Sequence, residues 1–203
     1  MSNVTNQLGN YLLLALTAIT VENSVFARGL GVSRLISLVD DTTNTVIFSI
    51  LLAATTTASG VLYNFIYSEV LEGMTNEIYL RPLAIVLCMS AAFLVIFVLA
   101  VKLMPYEHVS KAAAAMPVAT FNCMVFGTII LSTSEKMTIL QSIVFSVGSS
   151  VGFMLAILLV TEGQRKLQNR DIPAAFKGLP ATLLYIAGLA IAVYGFTGRI
   201  FSL

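Results

Sequence analysis

Six stretches of 20 or more residues in this sequence contain no aspartate, glutamate, lysine or arginine. They cover residues 1–21, 42–68, 82–101, 112–134, 137–161 and 178–198, and are numbered here as spans 1 to 6. A helix of about 20 apolar residues crosses the roughly 30 Å hydrocarbon core of a bilayer. Runs this long favour helices over the roughly 10-residue alternating strands of a membrane barrel. The sequence therefore predicts an all-α integral membrane protein with six transmembrane helices.

Composition argues against several other classes of protein. Charged residues make up 10% of the chain, against roughly 25% in soluble domains. The net charge is +1 and no basic patch is present, so we expect no nucleic-acid partner. Both cysteines, Cys88 and Cys123, lie inside spans, so we expect no disulfide framework. The start "MSNVTNQLGN" lacks the basic region of a signal peptide, so we expect span 1 to be retained.

Basic residues are distributed unevenly between the connections that separate the spans. If connections alternate between the two sides of the membrane, one side receives Arg28, Arg34, Lys102, Lys111, Arg165, Lys166, Arg170 and Lys177. The other side receives Arg81, Lys136 and Arg199. Connections rich in lysine and arginine face the cytoplasm. We therefore predict a multi-pass protein of a bacterial-type cytoplasmic membrane with both termini outside.

A weak internal repeat links the two halves of the chain. "VENSVFARGLG" follows span 1 and "TFNCMVFGT" lies in span 4, so that Asn23 and Asn122 begin similar segments. Three spans separate the copies, and an odd number of spans per repeat gives the halves opposite topology. We predict one membrane domain over residues 1–203, formed by two inverted three-helix repeats at about 1–104 and about 105–203.

Polar residues inside spans are expected to face the protein interior or a cavity, because placing them against lipid is costly. Pro117 and Gly127 flank Asn122 and favour a break in span 4. From the residues alone, Asn122 fits either a hydrogen bond between helices or a binding site. Cys123 fits either a small buried residue or a ligand, whereas Cys88 has only apolar neighbours in the sequence.

The motifs around these residues resemble those of a known family. "PVATFNCMVFG" is similar to the motif Pro-Leu-Ile-Thr-x-Asn-Cys-Ala-x-x-Gly of the small membrane subunits of the Rnf and Nqr electron-transport complexes. "ENSVFARGLGVSRL" aligns without gaps with the first motif of that family, which ends in Leu-Gly-x-Cys. The similarity covers nearly the whole chain and is closest to the A-type subunits of Rnf and the E-type subunits of Nqr.

This resemblance implies a fold, partners and a cofactor. The fold has six helices in two inverted repeats, with helices 1 and 4 broken. The subunit would pair with a homologue of opposite topology, and the two would share a [2Fe-2S] cluster in a complex that moves Na+ or H+. Cys123 matches the second-half cluster cysteine, while Ser33 stands where the first-half cysteine is expected. The resemblance assigns the stabilisation of the two helix breaks to Asn23 and Asn122.

A cluster site near Ser33 and Cys123 requires the chain after Asn23 to turn back into the protein. Arg28 would then lie close to the site and could stabilise a reduced cofactor or a bound anion.

Two other interpretations of the sequence remain open. The same inverted-repeat scaffold could serve a transporter with no redox role, binding a small solute or ion between Asn23 and Asn122. The serine at position 33 is the main support for that alternative. The chain could also be an assembly subunit that keeps the fold without the cofactor, and it could pair with itself as a homodimer.

Overall fold

The computed structural model describes residues 2–38, 42–74, 76–103, 106–167, 173 and 176–196. All regular structure within these ranges is helical. The helices are α1 (Ser2–Ile19), α2 (Val32–Leu38), α3 (Thr42–Ile66), α4 (Glu77–Leu103), α5 (Tyr106–Thr120), α6 (Cys123–Ser134), α7 (Ile139–Leu167) and α8 (Leu179–Phe196), and a π-helical turn, Tyr67–Leu71, continues α3. Arg170 and Arg199, used above for orientation, lie outside the described residues. The prediction of an all-α protein is confirmed.

Three of these helices are long and apolar enough to cross a membrane. They cover Thr45–Leu71, Glu77–Lys102 and Ile139–Leu167. A fourth crossing is formed if Ala113–Thr120 and Cys123–Ser134 count as one span bent by 43°. The apolar helix Leu179–Gly195 is shorter, and α1 has polar residues in its first turns. The described helices thus support three or four crossings by length and composition, and the count of six stays a prediction.

The chain leaves its helical path at both of the predicted positions. In span 4, α5 ends at Thr120 and α6 begins at Cys123, so only Phe121 and Asn122 separate them. After span 1, α1 ends at Ile19 and turns lead to α2, which begins at Val32. We refer to residues 20–31 as the first break and to residues 121–122 as the second break.

Small residues allow the central helices to approach closely. A Cβ atom at Gly148 would lie 3.0 Å from the Cβ of Ala18 and 3.1 Å from the backbone oxygen of Ala15. Gly60 of α3 likewise faces the hydroxyls of Ser142 and Ser146 on α7. Such close backbone approach is how helices associate in a bilayer. Gly148 therefore allows α7 to pack closely against α1.

Large apolar side chains fill the interior where α3, α5, α6 and α7 meet. Phe48 and Phe153 are fully buried, with ring centroids 6.1 Å apart, and Met116 and Met124 lie in the same core. Many other large apolar side chains are exposed on the outside of the bundle, among them Leu12, Leu13, Ile50, Leu83, Leu94 and Ile191. An apolar surface of this kind suits a lipid environment.

Polar contacts connect the end of α3 to the start of α4 and to the connection after α6. The Tyr67 hydroxyl donates to a Glu77 carboxylate oxygen at 2.6 Å, and Arg81 bonds to both side chains. Asn64 donates from Nδ2 to the backbone oxygen of Met137 at 3.1 Å. The connections after spans 2 and 4 therefore lie at the same end of the bundle, in agreement with the alternation used to predict orientation.

Candidate functional site

The second break is formed by an asparagine that separates one helix from the next. The backbone of Asn122 is extended, with φ of −109° and ψ of 139°, and its Oδ1 accepts the backbone N–H of Met124 at 3.2 Å. Asparagine is among the best residues for this position because its short side chain satisfies a free N–H at the helix start. The sequence thus places Cys123 at the first residue of α6, in the middle of span 4.

The first break is held by Asn23, which uses every polar atom of its side chain. Its Oδ1 accepts the backbone N–H of Val25 at 3.0 Å, and Nδ2 donates to the backbone oxygens of Ile19 at 2.9 Å and Gly152 at 2.8 Å. The side chain closes the end of α1, supports the following turn and ties both to α7. A Cβ at Gly152 would lie 3.0 Å from Nδ2, so a glycine at this position leaves room for the Asn23 side chain to bond to α7.

The first break returns the chain to Cys123. Gly29 and Gly31 have φ values of +68° and +78°, a region that favours glycine. The backbone N–H of Gly31 donates to the sulfur of Cys123 at 3.0 Å. A Cβ at Gly31 would lie 2.5 Å from Cε2 of Phe153, and Gly127 of α6 packs against Leu30. The two breaks therefore meet, as the sequence required for a shared site.

The two cysteines have opposite environments. Cys88 is 1% exposed within the apolar core, whereas Cys123 is exposed on the surface of the isolated chain. Phe121 beside it is 51% exposed and lies near Phe93, with ring centroids 6.0 Å apart. Backbone groups at the second break have partners within the chain: the Phe121 N–H donates to the Pro117 oxygen at 2.9 Å, and the Asn122 oxygen accepts from the Phe126 N–H at 3.2 Å.

Ser33 and Arg34 follow Gly31 at the start of α2. The Ser33 side chain is exposed. The guanidinium of Arg34 lies over the ring of Phe48, 5.1 Å from its centroid. Ser33 is thus exposed and two residues from the Gly31 amide that contacts Cys123, and its role as a ligand stays a prediction.

Arg28 lies on the outer side of the first break. Its guanidinium forms an ion pair with Glu22 at 2.6 Å, with both side chains about one-third exposed, at 37% and 29%. The ion pair links two positions near the start and the end of the first break. A role of Arg28 toward a cofactor or an anion stays a prediction.

Several residues of the site were not singled out by sequence reasoning. Gly31 and Phe153 decide how closely the first break approaches Cys123. The sequence marked Gly31 only by its place between Asn23 and Ser33, two predicted site residues. It gave no such indication for Phe153. Gly152 fits a helix-packing motif, but its carbonyl also accepts the hydrogen bond of Asn23.

The donor atoms at this surface are few. Within the described residues no three His, Cys, Asp or Glu side chains are grouped closely enough to hold a metal ion. The two breaks bring together one thiol and one backbone N–H, with the Ser33 hydroxyl two residues further along the chain. A metal centre that uses Cys123 would need ligands beyond those that the described residues bring together there.

Comparison with known proteins agrees with this architecture. The family model described as "Rnf-Nqr subunit, membrane protein" matches residues 11–200. The chain is 25% identical to the A subunit of the ion-translocating oxidoreductase complex of Vibrio cholerae, over 98% of this chain and 92% of that protein. It is 28% identical to the A subunit of the proton-translocating ferredoxin:NAD(+) oxidoreductase complex of Clostridium ljungdahlii, over 95% and 99%. The A subunit of the ion-translocating oxidoreductase complex of Shewanella baltica is 25% identical, over 95% and 100%.

The family match covers nearly the whole chain, and the relatives are matched over almost their full lengths. The matched range includes both breaks and all the helices from α2 to α8. The resemblance inferred from the two asparagine motifs is confirmed: this chain is a multi-pass membrane protein of the Rnf-Nqr subunit family.

Proposed function

We propose that this chain is a membrane subunit of an ion-translocating electron-transport complex of the Rnf/Nqr type. It would act as one part of a translocase, as the relatives named above are parts of complexes. The relatives named above are subunits of an ion-translocating oxidoreductase and of a ferredoxin:NAD(+) oxidoreductase. The observation that carries the proposal is the exposed Cys123 thiol, positioned by the Gly31 amide where the two helix breaks meet.

Cys123 would provide one thiolate to an iron-sulfur site inside the membrane. A [2Fe-2S] cluster is normally held by four thiolates, and this chain offers one at its surface. The residues present therefore fit a share of such a cluster and not a complete one. Ser33 would be the neighbouring ligand, bound through an alkoxide oxygen. When bound, the cluster would supply one-electron transfer between carriers on the two sides of the membrane.

The partner would be a homologous membrane subunit of opposite topology. Its surface would cover the outward-facing second break and add the missing thiolates. Two copies of this chain are the alternative pair, and they would bring two Cys123 thiolates and two Ser33 hydroxyls.

The subunit would cross the cytoplasmic membrane six times, in two inverted three-helix repeats, with both termini outside. The matching roles of Asn23 and Asn122, each of which accepts a backbone N–H two residues ahead, support the repeat. Reporter fusions in the 104–105 and 135–138 connections test the orientation. The first should report from the cytoplasm and the second from outside.

Iron analysis and low-temperature EPR of the anaerobically purified complex test the cluster. We expect iron and a signal on reduction in the wild-type complex, loss of both in Cys123→Ala, and retention of both in the matched control Cys88→Ala. An intact complex without iron, or one whose Cys123→Ala variant keeps the signal, would contradict the proposal. Ser33→Cys should keep the iron and change the signal.

A redox-independent transporter is the competing hypothesis, in which a solute binds between Asn23 and Asn122. The hydrogen bonds of Asn23 weigh against it, because both amide protons and the oxygen already bond to the protein. Solute uptake by reconstituted protein without redox partners would favour that hypothesis. Uptake should be absent if the electron-transport proposal is correct.

A further inference from the structure

A crevice of about 500 Å³ lies beside the first break, between the end of α1, α7 and α8. Its apolar walls include Val21 and Phe26 of the break, Leu155 and Leu159 of α7, and Val193 of α8. Leu155 and Leu159 are 38% and 39% exposed, whereas Phe26 is 6% exposed. The crevice is therefore open on the outer surface of the bundle and closed on the side of the break.

The crevice lies near the middle of a membrane span. Gly148 of α7 packs against α1, and the Asn23 amide bonds to the backbone oxygen of Gly152, close to the centre of α7. Further along α7, Gly163 packs directly against the ring of Tyr185 on α8. The helices α1 and α8 thus cover successive parts of α7, with the crevice between them. Since α7 is long and apolar enough to cross a membrane, this gap lies at the depth of the bilayer interior.

The polar side chains that line the crevice already use their hydrogen-bond donors. The Thr20 hydroxyl donates to the backbone oxygen of Leu16 at 2.8 Å. Both protons and the oxygen of the Asn23 amide are bonded to the protein. A polar group entering the crevice would give up hydrogen bonds to water and find no donor side chain in return, which is costly. The lining therefore selects an apolar occupant.

The size of the crevice favours a narrow chain over a helix. An α-helix with its side chains is about 10–12 Å across, so a volume of about 500 Å³ holds roughly one helical turn. A partner helix could pass over the crevice but would not fill it. At this depth the bilayer supplies hydrocarbon chains, and an unfilled crevice would leave its walls without dispersion contacts.

We propose that the crevice binds one acyl chain of a membrane phospholipid, which packs against Val21 and Phe26 and supports the first break from outside. The chain would contact the segment that Asn23 holds through the backbone N–H of Val25. This binding needs the bilayer and is independent of a cluster at Cys123.

Photolabelling in a bilayer tests this site. The full-length protein is placed in nanodiscs of phosphatidylethanolamine and phosphatidylglycerol that contain a phosphatidylcholine with a diazirine near the end of one acyl chain. After illumination, mass spectrometry locates the labelled residues. Leu94, which is 61% exposed in the middle part of α4, reports the labelling of ordinary lipid-facing surface. Val193→Phe narrows the crevice, and Ile191→Phe is the matched control because Ile191 is 74% exposed on the same helix.

In the wild type we expect several-fold more label at Leu155 and Leu159 than at Leu94. Val193→Phe should reduce the label at both residues to the level of Leu94, and Ile191→Phe should leave it unchanged. Removal of lipid in detergent should lower the thermal unfolding temperature of the wild type, and added phosphatidylglycerol should restore it. Val193→Phe should show a smaller dependence on lipid, because its own ring fills part of the crevice.

Equal labelling of Leu159 and Leu94 in the wild type would overturn the proposal, whether or not Val193→Phe folds. Strong labelling of Leu159 in the isolated chain that disappears in the assembled complex would also overturn it, because a partner subunit would then occupy the crevice.

Discussion

The backbone amide of Gly31 donates a hydrogen bond to the sulfur of Cys123 across 92 positions of sequence, at 3.0 Å. This bond joins the two helix breaks at one point on the surface of the bundle. It depends on a left-handed backbone at Gly31 and on the absence of a side chain there. The contact between the first break and Cys123 therefore depends on Gly31, a residue without a side chain.

Gly31→Ala should destabilise the protein more than Gly29→Ala. Both residues have positive φ, which costs an alanine about 1–2 kcal/mol. Only at Gly31 would the new Cβ meet a buried ring, 2.5 Å from Phe153, and overpacking adds roughly 1–3 kcal/mol. Far-UV circular dichroism during thermal unfolding in detergent measures both variants. Equal losses would show that the contact with Phe153 adjusts at no cost.

Gly152→Ala should disrupt the hydrogen bond by which Asn23 joins the first break to α7. A Cβ there would lie 3.0 Å from the Asn23 amide nitrogen and 3.0 Å from the Ile19 carbonyl oxygen. We expect a loss of about 1–3 kcal/mol in the free energy of unfolding from this overpacking. Gly188→Ala on α8 is the matched control, since nothing lies within 4 Å of its Cβ position. A control as unstable as Gly152→Ala would contradict the steric explanation.

Asn23→Ala should cost more stability than Asn122→Ala. Replacing Asn23 removes the bond that supports the following turn and two further bonds, to Ile19 and Gly152. At about 0.5–1.5 kcal/mol per bond, the expected loss is roughly 2–4 kcal/mol. Replacing Asn122 removes the cap on Met124, worth about 1 kcal/mol. Chemical denaturation of the isolated subunit in mixed micelles gives both values, and the reverse order would contradict this ranking of the two side chains.

Thiol labelling should distinguish the two cysteines. In the isolated subunit we expect N-ethylmaleimide to modify the exposed Cys123 and leave the buried Cys88 unmodified. In the assembled complex Cys123 should become protected, because a partner would cover the second break. Mass spectrometry of the labelled peptides reads out each site. Persistent labelling of Cys123 in the complex would argue against a subunit interface at that surface.

The sequence by itself determined the helical membrane class, the positions of both breaks and the family. Uncharged runs of sufficient length permit little other than helices in a bilayer, and an asparagine with a proline before it and a glycine after it, as at Asn122, favours a helix end. The approach of the chain beyond Asn23 to Cys123 was expected from the resemblance to the Rnf and Nqr subunits, which matches Ser33 to a ligand position. The helical class and the break at Asn122 are local features, so residue types and spacing are enough to define them.

Only the tertiary structure separated residues that look alike in the sequence. Asn23 and Asn122 occupy equivalent motifs, yet one amide is fully bonded because Gly152 lets α7 approach, and the other retains free donors. Cys88 and Cys123 both lie in apolar spans, yet one is in the core and the other on the surface. Such differences arise because hydrogen bonding and burial depend on which helix faces each residue, and packing between distant segments decides that.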